Sequence, residues 1–144
     1  MSGNSDRLEH STEGGEVQPG ILHEAHERLA SQVTASIYEA NPQLLERYGE
    51  RGKQKCWEDN VHHMKHLDTA YQLSNEDVFT DYALWLNGIL GRFGMGPEHL
   101  VDNFERIADA LDRESSLSSA RVSGYKTLLQ RANEALQVEA RKRS

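Results

Sequence analysis

Four side chains on one predicted helix could take part in chemistry: Cys56, Asp59, His63 and His66. They are three, four and three residues apart, so on an α-helix a thiol, a carboxylate and two imidazoles share one stripe. An ionised thiol can form a covalent bond, a carboxylate can neutralise a cationic ligand, and an imidazole can titrate near neutral pH or bind a metal. This stripe is therefore the first candidate for a functional site.

A metal site is one interpretation of the stripe, because Glu58 and His62 are four residues apart and so are His62 and His66. Carboxylates and histidines at helical spacing build metal sites inside bundles, and one histidine on a globin helix can ligate haem iron. Di-metal bundles take such ligands from several helices, however, and only one predicted helix here is rich in histidine. The remaining interpretation assigns the stripe no function. The histidines are then partly exposed helix residues, and Cys56, the only cysteine, packs as a small apolar side chain.

The stretch around this stripe, roughly residues 53–112, resembles the chromophore-binding half of phycocyanin and allophycocyanin subunits. In that family a helix carries Cys-x-x-Asp followed by two aromatics and a leucine-like residue. A tyrosine, an acidic turn, an Asp-Tyr helix, a phenylalanine-containing turn with proline and a last helix come next. The corresponding residues occur here in the same order: Cys56, Asp59, Met64, Tyr71, Asp81, Tyr82, Phe93 and Pro97. The resemblance implies an all-α, globin-like fold that holds a bilin, a linear tetrapyrrole of the phycocyanobilin or biliverdin type.

The resemblance also implies roles for particular residues. Cys56 would add to the terminal pyrrole and form a thioether. Asp59, one helical turn further on, would accept the pyrrole N–H groups and keep the pigment protonated and extended. The propionates would meet cations in and just after a basic loop, namely Arg51, Lys53 and Lys55.

The resemblance places four further side chains against the pigment: His63, Tyr82, Phe93 and His99. The sequence departs from the family at several of these positions. Glu58 stands where the family has a propionate-binding arginine, His63 stands in an aromatic position, and His99 replaces a stacking tryptophan. These departures predict a less rigidly held, pH-sensitive and weakly fluorescent chromophore.

About six helices are predicted to position these residues. They cover about residues 21–40, 42–48, 53–73, 76–90, 97–111 and 120–141, with the basic loop between Gly49 and Gly52. The third contains a row of core positions in which Asp68 is the one polar interruption. Residues 1–20 are polar and are predicted to be a disordered tail, so that residues 21–144 form a single domain. No segment is typical of a strand.

Composition excludes several classes of function. The net charge is -7 over 144 residues and mean hydropathy is -0.73, which argue against binding to nucleic acid or to an acidic membrane surface. No apolar run approaches the roughly 20 residues of a transmembrane helix, and no signal peptide is recognisable. We therefore predict a cytoplasmic protein with neither nucleic-acid nor membrane partners.

Taken together, these observations predict a non-enzymatic bilin-binding protein that acts as a carrier, a chaperone for bilin biosynthesis or a photosensor. No nucleophile, base and orienting acid share a recognisable spacing, so no catalysis is predicted. The expected partners are the tetrapyrrole, enzymes of bilin biosynthesis, and a second copy bound through the C-terminal helix. Two alternatives stay open: a chromophore-free globin-like signalling or interaction module, and a histidine-rich metal or haem protein.

Overall fold

The computed structural model describes residues 18–143, and this part of the chain is all helical. Its five helices, in chain order, are α1 (Pro19–Ala40), α2 (Gln43–Leu73), α3 (Glu76–Arg92), α4 (Pro97–Leu111) and α5 (Ser119–Arg143). No strand occurs between residues 18 and 143, which confirms the predicted all-α class. Most of the predicted polar tail, residues 1–17, lies outside the described residues. Pro19 and Gly20, which that prediction included, instead form the first turn of α1.

The structure has one helix, α2, where the sequence predicts two helices and a basic loop. Within α2, two helical stretches meet at a kink at Gly49, whose φ of 67° and ψ of -168° are not helical and favour glycine. Gly52 does not end a helix; it makes room for Tyr48, whose Cβ would lie 2.4 Å from a Cβ added at Gly52. The described residues therefore form five helices where about six were predicted, and the predicted helix end at Gly49 is present as this kink. Arg51, which was predicted to lie in the loop, therefore lies on helix α2, as do Lys53 and Lys55, which were predicted to follow the loop.

The other helix boundaries follow the local signals in the sequence. Ser74 adopts the left-handed conformation that ends α2, with φ 51°, and the Asn75 side chain accepts a hydrogen bond from the Asp77 N–H at the start of α3. Pro97 occupies the first turn of α4, as predicted. The serine-rich segment forms the connection to α5, which begins at Ser119.

The helices pack around one hydrophobic core. Helix α2 contacts α1, α3 and α5, while α4 contacts α1 and α5. The core of the bundle includes the predicted rows of α4 and α5: Leu100, Phe104, Ile107, Leu111, Tyr125, Leu129, Ala132 and Leu136. Among residues 18–143, no helix is both long and apolar enough to cross a membrane.

The one polar interruption of the predicted α2 row, Asp68, is buried and forms an ion pair across the core. Its Oδ1 accepts hydrogen bonds from Arg121 Nε at 2.9 Å and from Tyr125 Oη at 2.6 Å. Tyr125 Oη also contacts His26 Nε2 at 3.1 Å, which brings α1 into the network. Burial alone would raise the pKa of Asp68, but hydrogen bonds from Tyr125, Arg121 and Gln72 outweigh it and hold this pKa below its usual value.

Candidate functional site

Cys56, the predicted attachment point, is half-buried on α2. Asn60 Nδ2 lies 3.8 Å from its Sγ and also 3.1 Å from Asn103 Oδ1 on α4. Thr34 of α1 also lies beside the thiol, so Cys56 lies on the part of α2 that meets both α1 and α4. Burial raises the pKa of Cys56, which reduces the fraction present as the reactive thiolate.

Asp59, the predicted counter-ion, lies near the surface of α2. Its Oδ1 accepts a hydrogen bond from Lys55 Nζ at 2.8 Å, one turn earlier on the same helix. Lys53 lies with its Nζ 5.9 Å from the centre of the Tyr38 ring on α1, and Arg51 is exposed. Arg51 and Lys55 are four residues apart and share one side of α2, whereas Lys53 lies toward α1, so the three cations do not form one propionate-binding group.

His63 is a core residue rather than a surface ligand. Its side chain is 3% exposed, its Nδ1 lies 2.7 Å from Tyr82 Oη, and its ring meets Phe104 edge to face at 5.3 Å. Burial, together with the neighbouring His66 and His62, lowers the pKa of His63 to about 3. His63 is therefore neutral at physiological pH and links α2, α3 and α4.

Three rings from α2 and α3 form a surface that we call the aromatic face: His66, Tyr82 and Trp85. The His66 and Tyr82 rings are stacked with centroids 3.8 Å apart and planes at 11°, and the Trp85 ring follows at 6.4 Å from Tyr82. Trp85 is 62% exposed, so a large apolar side chain is held in water. Burial first, and then the nearby charge of Asp59, raises the pKa of Tyr82, which places Asp59 within electrostatic reach of this face.

The two remaining predicted residues lie beyond the aromatic face. Phe93 ends α3 and is 77% exposed, while His99 lies on the first turn of α4, exposed, with its Nε2 3.7 Å from Glu98. The structure thus brings Asp59, His63 and Tyr82 into one neighbourhood. It does not bring Cys56 to the same surface.

In the interior beside these residues, the Phe104 ring packs against His63 and Phe79. An open groove of about 870 Å³ lies elsewhere, between α4 and α5, and a shallower recess of about 500 Å³ lies beside Trp57. None of the predicted site residues lines either of them. Between residues 18 and 143, no group of three or more histidine, cysteine or acidic side chains is arranged to hold a metal ion.

Sequence reasoning missed two features of this region. Trp85 is not part of the apolar row predicted for α3. The signal was a surplus of apolar residues, since Leu84 and Trp85 add to a row that is already formed by Phe79, Tyr82, Leu86 and Leu90. The second is the stacking of His66 on Tyr82, which depends on how two helices pack and has no signature within either one.

The fold and the site define an all-helical protein with a closed core and an exposed aromatic face. No family model, curated protein or solved structure matches the chain.

Proposed function

We propose that this protein is a non-catalytic binding protein whose ligand is a tetrapyrrole held against the aromatic face. The observation that carries the proposal is the exposure of Trp85 beside the stacked rings of Tyr82 and His66. A flat tetrapyrrole that binds such a surface buries apolar area and can stack on the aromatic side chains. A large aromatic side chain held in water is also typical of a binding surface.

The residues present fit reversible binding better than a covalent link. The thiol of Cys56 lies toward α1 and α4, with an Asn60 amide beside it, and burial raises its pKa. Asp59 fits the role of counter-ion for the pyrrole nitrogens, because only Lys55, a surface residue, has to move aside for its carboxylate to turn toward a ligand. A carrier role for a bilin therefore agrees best with this geometry. Three further points stay predictions: a cytoplasmic location, a globin-like arrangement of the helices, and a partnership with bilin-biosynthesis enzymes.

Titration of the purified protein with biliverdin, followed by visible absorbance, tests this proposal. We expect saturable binding that Trp85→Ala weakens about tenfold, since loss of one stacked aromatic costs about 1.5 kcal/mol. Leu73→Ala is the matched control because Leu73 is also 62% exposed but lies at the end of α2. Asp59→Asn should shift the red absorption to shorter wavelength.

Zinc-stained fluorescence on a denaturing gel then separates reversible from covalent binding. We expect no pigment on the denatured band, and Cys56→Ala should bind biliverdin as the parent does. Equal affinity of the parent and Trp85→Ala would contradict the proposed surface, and a complete lack of tetrapyrrole binding would contradict the function.

A chromophore-free interaction module is the second candidate, and the filled interior favours it. Phe104 packs against both Phe79 and His63 in the interior, so aromatic side chains of the protein itself fill this part of the core. The aromatic face would then contact a partner protein. Failure of every tetrapyrrole to bind is the outcome that selects this candidate.

A further inference from the structure

We propose that two copies of this chain form a dimer in which helix α3 packs antiparallel against α3 of the second copy. The surface that would meet is a row of residues that we call the dimer face: Asp81, Trp85, Gly88 and Arg92. They are four, three and four residues apart, so they share one side of α3. Asp81, Trp85 and Arg92 are exposed, because this side of the helix points away from the core.

The first argument is that the row reads the same in both directions. Because the spacings are four, three and four, a twofold axis through the middle of the row places Asp81 opposite Arg92 of the second copy. The same axis places Trp85 opposite Gly88 of the second copy. A twofold dimer requires a surface that is complementary to itself in this way. Parallel packing would instead place Asp81 against Asp81 and Trp85 against Trp85.

The second argument is charge complementarity. Asp81 and Arg92 are both exposed, and neither forms an ion pair with another residue between 18 and 143. They lie about three helical turns apart, too far to pair with each other within one helix. In the antiparallel arrangement each carboxylate meets a guanidinium of the second copy. The two resulting ion pairs would fix both the orientation and the register of the helices.

The third argument is shape. The Trp85 side chain is 62% exposed, while a Cβ added at Gly88 would meet nothing within 4 Å. Gly88 therefore makes room for no neighbour within one copy, and its missing side chain leaves a gap in which the indole of the second copy can pack. Half-buried Leu84 and Ile89 border the row, and residues 82–91 include no charged side chain. The middle of the dimer face is therefore apolar, as expected of a surface that binds protein.

Helix α3 offers more apolar surface for self-association than α5, the helix that the sequence predicted for it. Among its described side chains, α5 exposes one large apolar residue, Val138. Helix α3 exposes Trp85 and is followed directly by Phe93 and Met95, which are also exposed. One helix face is small for a specific interface, so we expect a dissociation constant in roughly the micromolar range.

Sedimentation velocity of the full chain over a range of concentrations, without added tetrapyrrole, tests the dimer. We expect the parent to pass from monomer to dimer as its concentration rises, and Trp85→Ala to raise the dissociation constant about tenfold or more. Asp81→Arg and Arg92→Asp should each stay monomeric, because each places two pairs of like charges in the interface. A mixture of these two variants should form a dimer with one copy of each, since both contacts then join opposite charges.

Glu105→Arg is the matched control, because it makes the same change of charge at an exposed position of α4 and should dimerise as the parent does. All variants should have the helicity of the parent by circular dichroism. A parent that stays monomeric at about 1 mM would overturn the dimer. Dimers of Asp81→Arg as stable as those of the parent would overturn the assignment to α3. Failure of the two mixed variants to associate would overturn the antiparallel pairing.

Trp85 belongs to both the dimer face and the aromatic face, so a second copy and a tetrapyrrole should exclude one another. This consequence, unlike the dimer itself, rests on the proposed function. Saturating biliverdin should shift the parent toward monomer, and a dimer that persists with biliverdin bound would contradict the shared use of Trp85. If the mixed variants pair but biliverdin does not bind, the proposed function is wrong and the dimer stands. If biliverdin binds to a parent that stays monomeric, the reverse holds.

Discussion

At the scale of single residues, the ion pair between Asp68 and Arg121 is the most constrained contact. The Arg121 Nη2 to Asp68 Oδ1 distance is 2.8 Å, and the two side chains are 2% and 9% exposed. The Arg121 guanidinium also lies 4.9 Å above the Tyr71 ring. A buried charge that loses its partner retains the cost of desolvation, so neither residue can be replaced alone without penalty.

We expect Arg121→Met to lower the free energy of unfolding by about 3–5 kcal/mol, because it leaves a buried carboxylate without its cation. Asp68→Asn in the same chain should restore much of the loss, since an amide can still accept from Tyr125. Urea denaturation of the parent, both single variants and the double variant gives the coupling energy.

Lys126→Met is the matched control for this cycle. Lys126 lies on the same helix and pairs with Asp112 at 2.6 Å, but both side chains are largely exposed, so its loss should cost under about 1 kcal/mol. Equal costs for Lys126→Met and Arg121→Met would contradict the importance of the buried pair.

At the scale of helices, Gly88 and Gly124 both lie inside a helix but differ in what surrounds them. A Cβ at Gly124 of α5 would lie 2.6 Å from two atoms of the Tyr71 ring on α2, whereas a Cβ at Gly88 of α3 would meet nothing within 4 Å. Gly124 thus sets how closely α5 approaches α2. Gly88 only adds backbone freedom to the unfolded chain.

Gly124→Ala is therefore expected to destabilise the protein by about 1–3 kcal/mol through overpacking, while Gly88→Ala should stabilise it by about 0.5–1 kcal/mol through helix propensity. Thermal unfolding followed by circular dichroism measures both variants. If both substitutions changed the stability in the same direction, the α2–α5 contact would not be as close as described.

Helix boundaries were largely predictable from sequence, because proline, asparagine and apolar periodicity act locally. The number of helices was not, because a glycine at the position of Gly49 either ends a helix or kinks it, and the packing of neighbouring helices decides which. The role of Asp68 as a buried residue was visible as an interruption of the apolar row, but its partner Arg121 lies 53 residues away. The stripe of Cys56, Asp59, His63 and His66 was predicted to share one surface, yet small differences in angle around α2 direct them to α1 and α4, to solvent, to the core and to Tyr82.

At the scale of the whole molecule, two buried histidines couple folding to pH. His63 packs among α2, α3 and α4, and His26 joins the network of Asp68 and Tyr125. Burial lowers the pKa of His26 to about 4 and, together with nearby histidines, that of His63 to about 3. Both values lie below the ordinary histidine value of 6.5, so between these limits the unfolded state binds protons that the folded state does not.

The free energy of unfolding should therefore fall as the pH is lowered from 6.5 toward 5. The expected contribution is about 1.4 kcal/mol per pH unit for each histidine once the unfolded chain is protonated. Urea denaturation at a series of pH values measures this slope. His63→Gln, which stays neutral, should remove about half of it. A slope in His63→Gln as steep as in the parent would contradict the explanation.

The position of Asp68 along the chain also affects when the protein can fold during its synthesis. Its partners Arg121 and Tyr125 follow it by 53 and 57 residues, so the ribosome releases α1 to α4 before either partner exists outside it. At that stage the Asp68 carboxylate has no buried cation to pair with, so its burial would be unfavourable. We therefore expect the C-terminal half of α2 to stay partly solvated. We therefore expect the bundle to assemble only after α5 has emerged, with its apolar helix faces open to solvent until then.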